Sequence, residues 1–285
     1  MIPSVNFHLW EPCNMRCGFC FARFQDVRAH VLPKGHLPRE EALAVVRALA
    51  AAGFQKITFA GGEPTLCPWL PELVREAKGS DLLTMVVSNG SRLDTAYLDS
   101  FEGYLDWMVL SIDSLDPDGN RQAGRYAAGK ASPGREHYAQ LCQRIQGLGL
   151  QLKINTVVHA YNWQEDLAPF IEEVQPDRWK VLQALPVAGQ NDVDFDRFAV
   201  SAAQFAAFCQ RNDTQQAGIP FVPERADVIR GSYVMVDPAG RFFDSTRGGH
   251  TYSRPILAVG AWQALQEIQV DVDKFWERDG GYYLE

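Results

Sequence analysis

The stretch Cys13-Asn14-Met15-Arg16-Cys17-Gly18-Phe19-Cys20 places three thiols within eight residues, immediately after an apolar, strand-like run at 5–10. Thiolates are soft ligands that suit iron–sulfur clusters or zinc. A structural zinc site normally takes four protein ligands, usually as two pairs. Here one loop carries three, and the other cysteines, Cys67, Cys142 and Cys209, are scattered. Three thiolates leave one iron of a [4Fe–4S] cubane without a protein ligand, free to bind something else. The scattered three read as small buried apolar residues, and six cysteines distributed in this way make a poor disulfide framework.

Outward from that loop, strand patterns at 55–60, 82–88, 107–112, 151–158 and 178–184 alternate with helical patterns at 38–52, 69–79, 94–102, 136–148 and 163–174. Mostly apolar strands such as Trp107-Met108-Val109-Leu110 suit a parallel sheet covered by helices. The alternation predicts an α/β fold, a partial (β/α)6 barrel with ligands at the carboxyl ends of its strands. The pattern breaks near residue 186. Residues 1–186 are expected to form the barrel and 187–285 a C-terminal α+β extension packed on it. That extension holds a helix near 201–212, a hairpin over Ser232–Phe243 turning at Asp237–Gly240, and a helix near 258–268.

The chain of 285 residues is 46% apolar with a formal net charge of −8. That balance opposes broad capture of nucleic acid or acidic lipid. The amino terminus has no basic n-region followed by an apolar h-region, and no apolar run is long enough to span a bilayer. A monomeric protein of the reducing cytoplasm is expected. Cations nevertheless recur inside the strand patterns: Lys56 opens one, Lys153 and Asn155 share a face of the next-to-last, and Arg178 and Lys180 share a face of the last. If Ile154, Thr156, Trp179 and Val181 meet the helices, those cations point inward. Unpaired buried cations are costly, so the interior should hold a polyanion such as a triphosphate.

The cysteine string resembles the signature of the radical S-adenosylmethionine superfamily, with Phe19 at its aromatic position. Gly61-Gly62-Glu63-Pro64 resembles that superfamily's GGEP motif, and Ser88-Asn89-Gly90 and Ser111-Ile112-Asp113 follow the third and fourth strands. The resemblance implies a [4Fe–4S] cluster on Cys13, Cys17 and Cys20. It also implies S-adenosylmethionine contacts from Phe19, Gly61, Gly62, Glu63, Ser88, Asn89, Ser111 and Arg125. Over nearly its whole length the chain is similar to the viperin family, through Val5-Asn6-Phe7-His8, Lys56-Ile57-Thr58-Phe59, Gly124-Arg125, Lys153-Ile154-Asn155, Arg178-Trp179-Lys180-Val181 and Ser232-Tyr233.

That similarity implies a nucleoside triphosphate substrate, CTP first with UTP and GTP open. Hydrogen abstraction at C4′ and loss of the 3′-hydroxyl would give a 3′-deoxy-3′,4′-didehydro nucleotide, an antiviral chain terminator. It further implies a nucleotide site of Asn6, Lys56, Lys153, Asn155, Arg178 and Lys180. Tyr233 would deliver the last hydrogen equivalent, and an electron donor such as flavodoxin or ferredoxin would act as partner. The amphipathic membrane helix of animal members is absent, Ala60 replaces their serine, and the chain ends at Glu285 without their longer tail. Two other readings stay open: a radical S-adenosylmethionine enzyme acting on another phosphorylated or peptide substrate, and a metal-stabilised binding module.

Overall fold

The computed structural model describes residues 2–284. One ten-stranded sheet organises the chain: β1 (Ser4–Trp10), β2 (Lys56–Gly61), β3 (Leu83–Ser88), β4 (Trp107–Ser111), β5 (Gln151–Val158), β6 (Arg178–Gln183), β7 (Phe221–Glu224), β8 (Met235–Val236), β9 (Arg241–Asp244) and β10 (Thr251–Pro255). Its order is β10-β9-β8-β1-β2-β3-β4-β5-β6-β7. Strands β1 to β7 run parallel, while β9 pairs antiparallel with both β8 and β10. The six predicted strands all form, and the sheet curls into a barrel that does not close.

Residues 187–285 do more than cover the barrel. They add β7 beyond β6 at one edge and β8–β10 beyond β1 at the other. The predicted hairpin is β8–β9, closed by the Asp237–Gly240 turn, where Asp237 accepts from the Ala239 and Arg241 amides. β7 escaped the sequence reading because Pro223 interrupts a four-residue run, and proline ordinarily argues against a paired strand. It is tolerated here on an edge strand.

Side-chain alternation sets the two faces of the sheet. Phe7, Ile57, Phe59, Met108, Ile154, Trp179 and Val181 point to the helices and are wholly buried in the main core. Truncating one of the larger of these would cost about 3–5 kcal/mol. The helices Arg39–Ala51, Leu70–Gly79, Arg135–Gly147 and Ala202–Arg211 lie within a residue or two of their predicted bounds. Three predicted helices do not run as expected, the one at 94–102 being only Thr95–Asp99. The one at 163–174 begins only at Ala168, with Pro169 in its first turn, because residues 161–164 form a turn. The one at 258–268 is two short helices, Ile256–Val259 and Ala261–Leu265, separated by Gly260 at φ 85°. Among the described residues, no helix is long and apolar enough to cross a membrane.

Candidate active site

The inner face of the sheet and the cysteine loop enclose a cavity of about 850 Å³. That is near the top of the roughly 300–1,000 Å³ range of small-molecule sites, with room for more than one ligand of ordinary size. At its rim lie Cys13, Cys17 and Cys20. The loop is seated by close backbone packing. A Cβ on Gly61 would fall 2.4 Å from the Trp10 carbonyl oxygen, and one on Gly62 would fall 2.2 Å from that of Glu11. Gly124, at φ 75°, receives the Arg16 carbonyl in the same way. The Gly-Gly pair was expected to admit a ligand; what it demonstrably admits is the cysteine loop itself, although both glycines also line the cavity.

The donor set fits an iron–sulfur cluster. Burial pushes the Cys17 thiol up to about 12, with the adjacent Arg125 guanidinium pulling the other way. Burial likewise pushes Cys13 up to about 11 and raises Cys20. Thiolates here therefore need a metal to hold them ionised. Among the described residues no three His, Cys, Asp or Glu side chains converge on a single-ion site, whereas a cubane takes each thiolate on a different iron. Cys67 and Cys142 are buried in the main core and Cys209 packs against it, so none is near as a fourth ligand.

All eight residues expected at S-adenosylmethionine line this same space: Phe19, Gly61, Gly62, Glu63, Ser88, Asn89, Ser111 and Arg125. Several are held by one another. Glu63 Oε1 accepts from Ser88 Oγ (2.8 Å), Thr65 Oγ1 (2.5 Å) and the Thr65 amide, while Oε2 accepts only from the Asn89 amide (2.8 Å). Oε2 thus keeps acceptor capacity toward the cavity. The Ser88 hydroxyl is spent on Glu63 and the Asn89 side chain donates to Asn14 in the cysteine loop (2.9 Å), so these two groups orient the site. Arg125 is clamped by Asp113 (2.9 Å) and by the Ser111 carbonyl, with Nη1 4.0 Å from Cys17 Sγ. Phe19 stacks on His159 at 4.6 Å between ring centres.

The floor is cationic. Lys56, Lys153 and Lys180 are buried and line the cavity with Asn6, Asn155 and Arg278. Burial and the neighbouring Arg178 lower Lys153 to about 7. Burial lowers Lys180 to about 8 against the pull of Glu224, and Lys56 also lies well below the usual lysine range. Asn155 Oδ1, Thr58 Oγ1 and His8 Nδ1 are buried without a partner among the described residues, a condition native proteins rarely leave unexplained. The predicted inward orientation of the lysines holds, with one exception to the expected ligand set. Arg178 is fully buried but does not line the cavity; it bonds Asp279 (2.7 Å) beneath the Tyr282 ring (3.9 Å).

Three participants went unread. Glu224, wholly buried, binds Lys180 and accepts from Tyr233 Oη at 2.5 Å. Arg278 lies 3.6 Å above the Tyr233 ring, and the Tyr283 ring sits 3.9 Å from the Lys56 ammonium. Glu224 carried a possible signal, a carboxylate ending a short apolar run. Arg278 and Tyr283 carried none, because they reach the floor through the path of the C-terminal segment.

The Radical SAM superfamily profile matches residues 10–174. Over 99% of this chain, "S-adenosylmethionine-dependent nucleotide dehydratase" proteins of Lacinutrix mariniflava and Flammeovirga pacifica are 54% and 49% identical. The chain covers 58% of the former and 96% of the latter. The crystal structure of Streptococcus suis SuiB bound to S-adenosylmethionine shares the fold, with a TM-score of 0.64 at 17% identity over 84% of this chain and 59% of that one. The cofactors of the superfamily are a [4Fe–4S] cluster and S-adenosylmethionine, and the loop and strand ends described above fit both. The chain therefore belongs to the radical S-adenosylmethionine superfamily and, within it, to the viperin-like family of S-adenosylmethionine-dependent nucleotide dehydratases.

Proposed function

We propose that this chain converts a nucleoside triphosphate, CTP first and UTP or GTP in its place, to the 3′-deoxy-3′,4′-didehydro analogue. One observation carries the reading. Lys56, Lys153, Lys180 and Arg278 converge on the floor of the cavity whose rim is the three-cysteine loop. That floor suits a triphosphate and leaves the ribose between phosphates and cluster.

The cluster and S-adenosylmethionine, when bound, supply a 5′-deoxyadenosyl radical able to take hydrogen from C4′. Cys13, Cys17 and Cys20 would hold the cluster. Glu63, through Oε2, would accept from the cofactor's ammonium, and Arg125 would counter negative charge near Cys17. Lys56 and Lys153 would hold the phosphates, with Lys180 shared between phosphate and Glu224 and Arg178 acting from behind by fixing the C-terminal segment. Departure of the 3′-hydroxyl as water takes one proton, and the substrate left behind takes one electron. Tyr233 would supply that equivalent, and its hydrogen bond to Glu224 supports the reading. A product without a 3′-hydroxyl would stop a polymerase, which supports a role in antiviral defence.

The test is an anaerobic assay of the reconstituted protein with CTP, UTP, GTP and ATP supplied separately. A product lighter by one water from one of the first three, formed with 5′-deoxyadenosine, is expected. Cleavage of S-adenosylmethionine with no such product from any nucleotide would refute the substrate class.

A further inference from the structure

A second recess lies on the outer side of the cysteine loop and shares Cys13, Arg16, Gly18 and Arg23 with the loop itself. It is lined by six cations, Arg16, Arg23, Arg92, Arg121, Lys130 and Arg197, against two carboxylates, Asp94 and Asp194. Five of the six are exposed and Arg23 is half-buried. None forms an ion pair with a carboxylate among the described residues, whereas other exposed cations such as Arg39, Arg135, Arg225 and Arg254 do. Asp192 and Asp196 sit on the neighbouring 3₁₀ segment but do not line the recess. In a chain with a net charge of −8, so many unpaired cations in one place form a local field opposite to that of the rest of the molecule.

Two of these cations touch the backbone that carries the thiols. Arg16 Nη1 donates to the Cys13 carbonyl at 2.6 Å and to that of Met15 at 3.0 Å. Arg23 Nη2 donates to the Cys17 and Gly18 carbonyls at 3.1 and 2.9 Å. Cys13, Arg16 and Arg23 line both the inner cavity and the outer recess, so the recess abuts the loop that would seat the cluster. At the edge of the recess stands Val193, 93% exposed, an apolar tip beside a charged rim.

We infer that this recess is the docking surface for a small acidic one-electron carrier protein. An acidic partner is repelled by the net charge of the chain and attracted at this recess, so charge favours the orientation that brings the carrier to Cys13. In the encounter one electron leaves the carrier's reduced flavin or iron–sulfur centre, oxidising it by one. The cluster is reduced by one, and no proton or group moves with the electron. The inference rests on the chain's family, which requires a cluster reductant, and not on the nucleotide it uses.

The test compares the cluster-loaded protein with the double variant Arg92→Glu/Arg121→Glu, using flavodoxin as the acidic carrier. Both residues are exposed and lie outside the cavity. Expected for the variant are unchanged iron content, flavodoxin binding weakened about tenfold or more at low ionic strength, and reduction by flavodoxin slowed to match. The difference should vanish near 1 M salt, where the Debye length is about 3 Å. S-adenosylmethionine cleavage driven by reduced methyl viologen, a cation, should not slow. Arg92→Ala/Arg121→Ala should show a smaller loss in the same direction. Binding and reduction by flavodoxin equal to wild type would overturn the inference. So would equal losses with both reductants, or a single-stranded RNA that binds the recess and is not displaced by flavodoxin.

Discussion

Lys153 offers the sharpest test of the cationic floor, because its charge depends on whether an anion is present. Burial and Arg178 lower it to about 7, and burial lowers Lys180 to about 8. At pH 8 Lys153 is then about nine-tenths neutral and Lys180 about half neutral. A triphosphate arriving between them restores both toward the ordinary lysine value, so the complex takes up protons. The sign follows directly. The free protein holds fewer protons than the complex between about pH 7 and pH 10, so affinity falls as pH rises through that window. From pH 7.5 to 8.5 the two lysines together predict a loss of roughly tenfold to thirtyfold. Anaerobic calorimetry with CTP and no reductant, repeated at pH 8 in buffers of different ionisation enthalpy, should show uptake of about one proton per nucleotide or more, Lys56 adding to the two. Lys153→Met should reduce the proton uptake, flatten the pH dependence and cost about 2 kcal/mol or more of affinity. Zero uptake, or an unchanged proton count in Lys153→Met, would mean that the phosphates do not reach this floor.

Three further outcomes are expected. Cys17→Ala should lose the cluster's absorbance, its iron and sulfide, and all cleavage of S-adenosylmethionine, since one iron loses its ligand. Gly62→Ala should fail to retain iron and should unfold at lower temperature. Its Cβ would lie 2.2 and 2.5 Å from the Glu11 and Pro12 carbonyl oxygens, and relief means displacing the cysteine loop at a cost of about 2–4 kcal/mol. Tyr233→Phe should go on forming 5′-deoxyadenosine while yielding little didehydro nucleotide by mass analysis; full product yield would clear the phenol of that role.

How far the sequence reached depended on the range of the interaction. The cysteine loop, the strand–helix alternation and the parity of Lys153, Asn155, Arg178 and Lys180 are local patterns, legible because strand side chains alternate. The parity argument even oriented the lysines correctly, since Ile154, Trp179 and Val181 do pack under the helices. It could not show that Arg178, though on the right face, is shut off by Asp279 and Tyr282, which lie about a hundred residues away in sequence. Nor could it show that Ser88 and Asn89 face one another's partners as much as a ligand, because Glu63 and Asn14 meet them only through the folded sheet. Length-limited elements failed for a different reason. β7 is too short and proline-bearing to register, and Gly260 splits a helical pattern whose periodicity runs straight through it.

Glu224 is the exception that explains the floor. Every other cavity lysine lacks a carboxylate, yet Lys180 is given one, and that same carboxylate takes the Tyr233 hydrogen bond. Burial alone would push Glu224 up, but Lys180 and Arg278 more than offset it and hold it below the usual glutamate range. It is therefore an anion that fixes where the phenol hydrogen points. A phosphate bound at Lys180 competes with Glu224 for the same ammonium. Under the proposed chemistry, a phosphate that drew Lys180 away would leave Glu224 to Arg278 and Tyr233, and would so couple the Tyr233 hydrogen bond to occupancy of the triphosphate floor.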